Sequence, residues 1–352
     1  MPANLSPEYK KAEQAFRSAR DLRERLGCLK EMLRTIPRHK GTEHLQADLK
    51  SRIRQLTQEL EAPRKGPVRG NSVNTVRHEG AAQVCLIGPP NAGKSSLHAR
   101  LTGSKSEISP GGFTTQHPVP GMLAFEDIAF QLVDLPPVSA GHVPPWMPGL
   151  LQATDAVWLV VDLADAACAE QVLEVLDELA RRKISLSDRW PGLEPEPVAA
   201  AETGAPPSEP DSEVMPDPFR VELPTLLVAN KSDLDSDPRE VAVLEELTGV
   251  RFPAIATSAQ AGAGLVELAP FLFKALEIVR VYTKAIGKPF EKSRPFTLRR
   301  GATVLDVARL VHKDLADSLR FARLWGSSAF EGQQVGPEHP IADGDVVELH
   351  AG

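Results

Sequence analysis

The segment Gly88-Pro-Pro-Asn-Ala-Gly93-Lys94-Ser95 has the spacing G-x-x-x-x-G-K-S. Residues of these types at this spacing hold phosphate. Backbone N–H groups of Asn91, Ala92, Gly93, Lys94, Ser95 and Ser96 can wrap a β-phosphate, and the start of a following helix adds positive potential. Gly88 opens the turn. Lys94 can reach the β- and γ-phosphates, and the Ser95 hydroxyl can hold Mg²⁺. The apolar run VCLI precedes the motif and a helical pattern follows it, the strand–loop–helix setting that this chemistry requires.

A second set of residues can read a base. Asn230-Lys231-Ser232-Asp233 follows the apolar run TLLVA. The Asp233 carboxylate can accept from both N1–H and the 2-amino group of guanine, whereas adenine offers neither donor there. Asn230 can bond the base edge and brace the phosphate loop, and Lys231 can lie against the ring face. Thr257-Ser258-Ala259 ends the next apolar run. The backbone of Ser258 and Ala259 suits the guanine 6-oxo group. In this order the elements select GTP over ATP. An ATPase or small-molecule kinase built on the same loop is the rival that nucleotide competition would expose.

Between the two sets lie the residues that would sense a γ-phosphate. GGFTTQHPVPG (Gly111–Gly121) offers Thr115, with Thr114 as the alternative, to bond Mg²⁺ and close on the phosphate. Asp134 ends the run FQLVD, where a carboxylate facing Mg²⁺ through water belongs. The third residue after such an aspartate ordinarily gives its N–H to the phosphate. Here it is Pro137, which has none. Losing one preorganised donor costs about 3–4 kcal/mol of transition-state stabilisation, or roughly 10²–10³ in rate. Val138 stands where many such enzymes keep a water-orienting glutamine. The catalytic candidates are therefore Lys94, Thr115 and Asp134, and slow hydrolysis is expected. Two readings of Asn91 stay open: it shapes the loop, or it helps hold a K⁺ ion that supplies missing positive charge.

These residues need a scaffold. Short apolar runs at Val84–Gly88, Phe130–Asp134, Ala156–Asp162, Thr225–Asn230 and Pro253–Ser258 alternate with helical patterns, which predicts a mainly parallel α/β sheet over residues 81–279. Residues 191–218 hold eight prolines and seven acids without Lys or Arg, and read as a disordered acidic insertion. Residues 5–62 read as two helices broken at Ile36–Gln46, a helical hairpin assigned to residues 1–66. Residues 1–70 carry sixteen Lys or Arg against nine Asp or Glu, a net of +7. Residues 67–80 form a linker or docked strap. From 280 to 352 a strand, turn, helix and closing strand suggest a β-grasp module. Its Lys284, Lys288, Lys292, Arg294, Arg299 and Arg300 face only Glu291 within residues 284–300.

The 352 residues allow two or three domains, and 42% hydrophobic with 25% charged residues is ordinary for a folded, water-exposed protein. No apolar run nears the roughly 18 residues that span a bilayer, and the first residues lack a signal-peptide core, so a cytoplasmic protein without membrane contact is expected. Cys28, Cys85 and Cys168 are too few and too scattered for a disulfide framework or a zinc site.

GPPNAGKSS, FTTQHPVPG, DLPP, NKSD and TSA, in this order, resemble an Obg-type GTPase. With the basic helices in front and VYTKAIGKP, VLDVARLVHKDL, FARLWGSS, VGPEHPI and DGDVVELH behind, the chain is similar over nearly its full length to the developmentally regulated GTP-binding proteins. The resemblance implies an α/β phosphate-loop G domain followed by a TGS domain, and a GTPase associated with RNA or ribosomes through residues 1–66 and 280–352. Aliphatic residues at the Val138 position are usual in that group. Two features depart from it: the acidic stretch stands where the family carries a folded insertion, and its D-x-x-G is here Asp134-Leu-Pro-Pro137. Pro137 thus leaves a second reading open, a guanine-nucleotide sensor that does not hydrolyse.

Overall fold

The computed structural model describes residues 6–19, 22–37, 42–61, 74–104, 115–141, 143–193, 220–234, 240–290, 294–327 and 330–351. Most of the acidic stretch 191–218, the candidate Thr114 and the linker before residue 74 lie outside these residues. The chain divides into an N-terminal helical unit and a larger unit of residues 73–198 and 222–352.

The helical unit contains α1 (Pro7–Ser18), α2 (Leu22–Thr35) and α3 (Glu43–Glu61). Three helices replace the expected hairpin of two. Ser6 caps α1 by accepting from the Tyr9 amide, with Pro7 at the first helical position. Ala19 is extended (φ −68°, ψ 127°) and ends it, and Arg25 Nε donates to the Ala19 carbonyl at 2.8 Å. Asp21 before Leu22, with Glu24 three residues later, is the sequence pattern of a helix start that the hydrophobic spacing conceals. Tyr9, Ala12, Leu29, Met32, Ile36 and Leu49 form the core.

The larger unit begins with β1 (Gln83–Ile87), α4 (Lys94–Thr102), β2 (Val119–Phe125), β3 (Ile128–Asp134), α5 (Met147–Leu151), β4 (Ala156–Asp162) and α6 (Cys168–Ala180). It continues with β5 (Ile184–Ser187), β6 (Val221–Asn230), α7 (Glu240–Thr248), β7 (Ala254–Ala256) and α8 (Leu265–Ala275). The strand order is β2-β3-β1-β4-β6-β5, with β7 also beside β6. β1 pairs in parallel with β3 and β4, β6 in parallel with β4 and β7, and β2 is antiparallel to β3. β1 is buried along its whole length, as a parallel strand covered on both faces must be. Two strands were not anticipated: β2, whose first residues read as switch loop, and the short β5.

Residues 74–80 are a docked strap. Gly80 bridges Phe130, the Glu79 amide donates to Gln131 Oε1 at 3.2 Å, and His78 Nε2 lies 2.6 Å from Asp155.

The chain then enters a β-grasp module without a linker. It comprises β8 (Ile278–Thr283), β9 (Phe296–Arg299), α9 (Val304–Val311), α10 (Lys313–Asp317), β10 (Leu319–Trp325), β11 (Gln333–Val335) and β12 (Asp345–Ala351). The sheet order is β11-β10-β12-β8-β9. Thr303 and Asp306 form a capping box at the start of α9. β8 serves two cores: Ile278 packs in the G-domain core, and Val279 and Val281 pack in the β-grasp core. Among the described residues, no helix is long and apolar enough to cross a membrane.

Candidate nucleotide-binding site

The phosphate loop joins the end of β1 to α4. Gly88 has φ 145°, and a Cβ there would meet the Val160 carbonyl at 2.2 Å. Gly93 has φ 88°, and a Cβ would strike Asn230 Nδ2 at 2.2 Å. Neither position can carry another residue without moving a neighbour. Asn91 also adopts a left-handed conformation, φ 64°, so it does shape the loop.

Lys94 is buried and folds back over the loop, donating to the carbonyls of Gly88 at 3.1 Å and Pro89 at 2.7 Å. Burial pushes its ammonium group down to about 8, against the pull of Asp134. A phosphate would supply the anionic partner it lacks.

The three candidate metal residues converge. Ser95 Oγ donates to Asp134 Oδ2 at 2.6 Å, Thr115 Oγ1 donates to the same oxygen at 3.2 Å, and the two hydroxyls are 3.1 Å apart. Among the described residues, Asp134 Oδ1 is buried without a hydrogen-bond partner. Burial raises the carboxyl above its ordinary value, opposed by the Ser95 hydrogen bond and the Lys94 charge. Two hydroxyls and a carboxylate with one unpaired oxygen are an all-oxygen donor set that fits Mg²⁺. Ser95 and Thr115 would hold the ion directly, with Asp134 behind a water.

The segment after Asp134 is fastened down. Leu135, Pro136, Pro137 and Val138 are all buried. The Val138 amide donates to the Gly88 carbonyl at 3.1 Å. The Ala140 and Gly141 amides donate to Glu174 at 2.9 Å and Glu178 at 3.1 Å, both on α6. Sequence reading missed these two glutamates, which look like ordinary polar positions of an amphipathic helix.

Asn230, Lys231, Asp233 and Ala259 line a cleft of about 490 Å³ with Gly93, Ser96, Ala99, Arg100, Leu234 and Gln260. Asn230 bridges its two sides: its Nδ2 donates to the Ala92 carbonyl at 3.0 Å, and its Oδ1 accepts from the Ala259 amide at 3.1 Å. A guanine 6-oxo group would share that Ala259 amide. The Ser258 amide is committed to the Ala263 carbonyl at 3.0 Å. The Ser258 hydroxyl instead donates to Asp233, which aims the carboxylate. Lys231 forms a 2.6 Å ion pair with Asp162 at the end of β4. Asp162 is a third missed residue, although an aspartate closing an apolar strand was the signal used for Asp134.

The expected basic track on the β-grasp module is partly spent internally. Lys284 pairs with Glu348 at 3.2 Å and lies 3.9 Å from the centre of the Trp325 ring. Arg299 pairs with Asp155 at 2.9 Å and Arg300 with Glu277 at 3.1 Å. Lys288 and Arg294 are exposed, and Lys292 lies outside the described residues. Phe321 stacks on His350 with ring centres 4.4 Å apart, which covers one face of its ring.

A family model described as 50S ribosome-binding GTPase matches residues 83–188, and a TGS domain model matches residues 279–351. Developmentally-regulated G-protein 2 of Arabidopsis thaliana is 27% identical, with 91% of this chain and 88% of the relative covered. The chain is similar over most of its length to the developmentally regulated GTP-binding proteins. Its C-terminal β-grasp module is a TGS domain. Two archaeal relatives align as fully. An uncharacterized GTP-binding protein of Methanocaldococcus jannaschii is 26% identical, covering 93% of this chain and 92% of the relative. One of Halobacterium salinarum is 28% identical, covering 94% and 99%. Among solved structures, a GTP binding protein from Pyrococcus horikoshii is 18% identical with a TM-score of 0.47, covering 77% of this chain and 100% of the other.

Proposed function

We propose that this chain is a developmentally regulated GTP-binding protein and a slow, Mg²⁺-dependent GTPase whose γ-phosphate sensing rests on Thr115. The observation that carries this reading is the convergence of Ser95 and Thr115 on the partly orphaned Asp134 carboxylate. Lys94 and the phosphate-loop amides hold the β- and γ-phosphates, and Mg²⁺ when bound would neutralise their oxygens. Asp233, aimed by Ser258, accepts from the guanine edge. Asn230 locks the base-reading loop to the phosphate loop, so binding at one end of the cleft organises the other.

Hydrolysis is slow because the second switch contributes neither donor nor base. Pro137 has no N–H, Val138 has its amide on Gly88, and its aliphatic side chain is buried. Intrinsic turnover in such folds is about 10⁻⁴–10⁻² s⁻¹. Single-turnover hydrolysis in Na⁺ and in K⁺ tests this reading. K⁺ stimulation assigns Asn91 a cation-holding role, and equal rates leave it a loop-shaping residue. The pinned second switch also favours the alternative, a guanine-nucleotide sensor that does not hydrolyse. A rate indistinguishable from free GTP in both salts selects it.

The partner is RNA or the ribosome, in the cytoplasm. The net charge of +7 over residues 1–70 supports this, as does the ribosome-binding description of the family model. The TGS contribution is narrower than its composition implies, since three of its basic residues are internally paired. Co-sedimentation with ribosomes at low salt, lost at high salt, is expected. No association in either nucleotide state contradicts it.

A further inference from the structure

The TGS domain grips the tip of the hairpin whose other end carries the phosphate-sensing residues. Glu126 and Asp127 form the β2–β3 turn, with Glu126 at φ 50°. Arg280 on β8 donates to Glu126 and, at 3.2 Å, to Asp127. Its remaining guanidinium nitrogens take Asp343 at 2.9 and 2.7 Å, and the group lies 4.9 Å from the centre of the Phe273 ring on α8. Tyr282, two residues along on the same face of β8, donates its hydroxyl to Asp127. The Arg280 side chain is only 17% exposed, so this is a partly desolvated, forked contact to three carboxylates, unlike a water-screened surface pair.

From that tip the hairpin runs to the nucleotide end. Pairing continues from Phe125 opposite Ile128 to Val119 opposite Asp134. Thr115 precedes Val119 by four residues. A strand in such a ladder moves as a unit, because a one-residue slip turns every side chain to the other face. The segment that follows Asp134 is tied to Gly88, Glu174 and Glu178. Between the two switch segments, the hairpin is therefore the element left to respond to the γ-phosphate.

We infer that Arg280, with Tyr282, is a positioning residue for the nucleotide site: by clamping the hairpin tip, the TGS domain favours the arrangement of Thr115 and Asp134 that binds triphosphate over diphosphate. The inference rests on the nucleotide reading above. Its direction follows from the geometry, since with the clamp closed Thr115, Ser95 and Asp134 are already within hydrogen-bond distance. By linkage, triphosphate strengthens the clamp by the factor through which the clamp strengthens triphosphate, so loss of the γ-phosphate loosens the TGS domain.

The test uses the full chain with Mg²⁺ and measures affinities for GDP and a non-hydrolysable GTP analogue by calorimetry. Arg280→Ala is expected to lower the ratio of analogue to GDP affinity about tenfold, within the usual range of coupling between sites, with GDP affinity held within about twofold. Arg280→Lys recovers part of the ratio, because one cation can still reach the turn. Tyr282→Phe removes one hydroxyl without disturbing packing, and lowers the ratio by a smaller factor. Equal weakening toward both nucleotides marks a merely structural role and overturns the inference, as does an unmoved ratio in all three variants. Failure of the unmodified chain to bind either nucleotide overturns the site reading itself, whereas normal binding with an unmoved ratio overturns the clamp alone.

Discussion

The Val138 amide donates to the Gly88 carbonyl across 3.1 Å, closing the segment after Asp134 onto the first residue of the phosphate loop. The contact spans the buried Pro136-Pro137 pair, which has no N–H of its own to offer a phosphate. Pro137→Gly restores a donor and backbone freedom. Its single-turnover GTP hydrolysis is expected to exceed that of the parent by roughly tenfold or more, since one preorganised donor is worth on the order of 10²–10³. Rates that coincide reject the idea that proline limits the chemistry.

Asp134 accepts from Ser95 and Thr115 on one oxygen, and among the described residues the other has no hydrogen-bond partner. Asp134→Asn removes the negative charge that the metal needs. The variant is expected to lose the Mg²⁺-dependent part of its GTP affinity, at least about tenfold, while affinity in excess chelator stays near that of the parent. Titrations with and without chelator measure this. A parent whose GTP affinity ignores Mg²⁺ contradicts the assignment.

The Asp233 carboxylate is held by the Ser258 hydroxyl facing the cleft. Asp233→Asn presents an amide N–H that repels the guanine 2-amino group and suits a 2-oxo group. GTP affinity should fall by about a hundredfold or more, and the xanthosine analogue should become the preferred ligand. Competition binding separates this from general damage, which would weaken both.

The TGS–G domain contact should be sensitive to acid. Burial raises Asp155 and Asp343, but hydrogen bonds from His78 and Gln83 on the former, and from Arg280 on the latter, outweigh it and hold both below the ordinary 3.8. The hydrogen bond from Tyr282 lowers Asp127 likewise. A depressed carboxyl contributes stability that is complete above its unfolded value and lost as pH falls through its folded one. Thermal stability should therefore drop on going from pH 5 toward about pH 3. The drop should be clearly smaller in Arg280→Ala, which has already lost its contacts to Asp343 and Asp127, and slightly smaller in Arg299→Ala, which loses one charge beside Asp155 and keeps its hydrogen bonds from His78 and Gln83. An acid profile that the two substitutions leave unchanged shows that the acid loss arises elsewhere.

Sequence and structure agree most closely where a fixed backbone geometry demands a residue type. Gly88 and Gly93 are needed for close approach, and Asp134 and Asn230 stand at strand ends, so these positions were legible. What escaped was tertiary pairing. No local pattern shows that Arg299 and Arg300 are spent on Asp155 and Glu277, or that Lys231 meets Asp162. The break at Ala19 escaped because neither proline nor glycine marks it. β2 escaped because Pro118, Pro120 and Gly121 disguise a strand that pairs on one side.

Calorimetric titration of the purified chain with GDP and ADP in Mg²⁺ bears most directly on the whole reading. The site described here predicts GDP binding at least about a hundredfold tighter than ADP, with the difference erased in Asp233→Ala. Equal uptake of the two nucleotides, or a preference that survives loss of the Asp233 carboxylate, contradicts it.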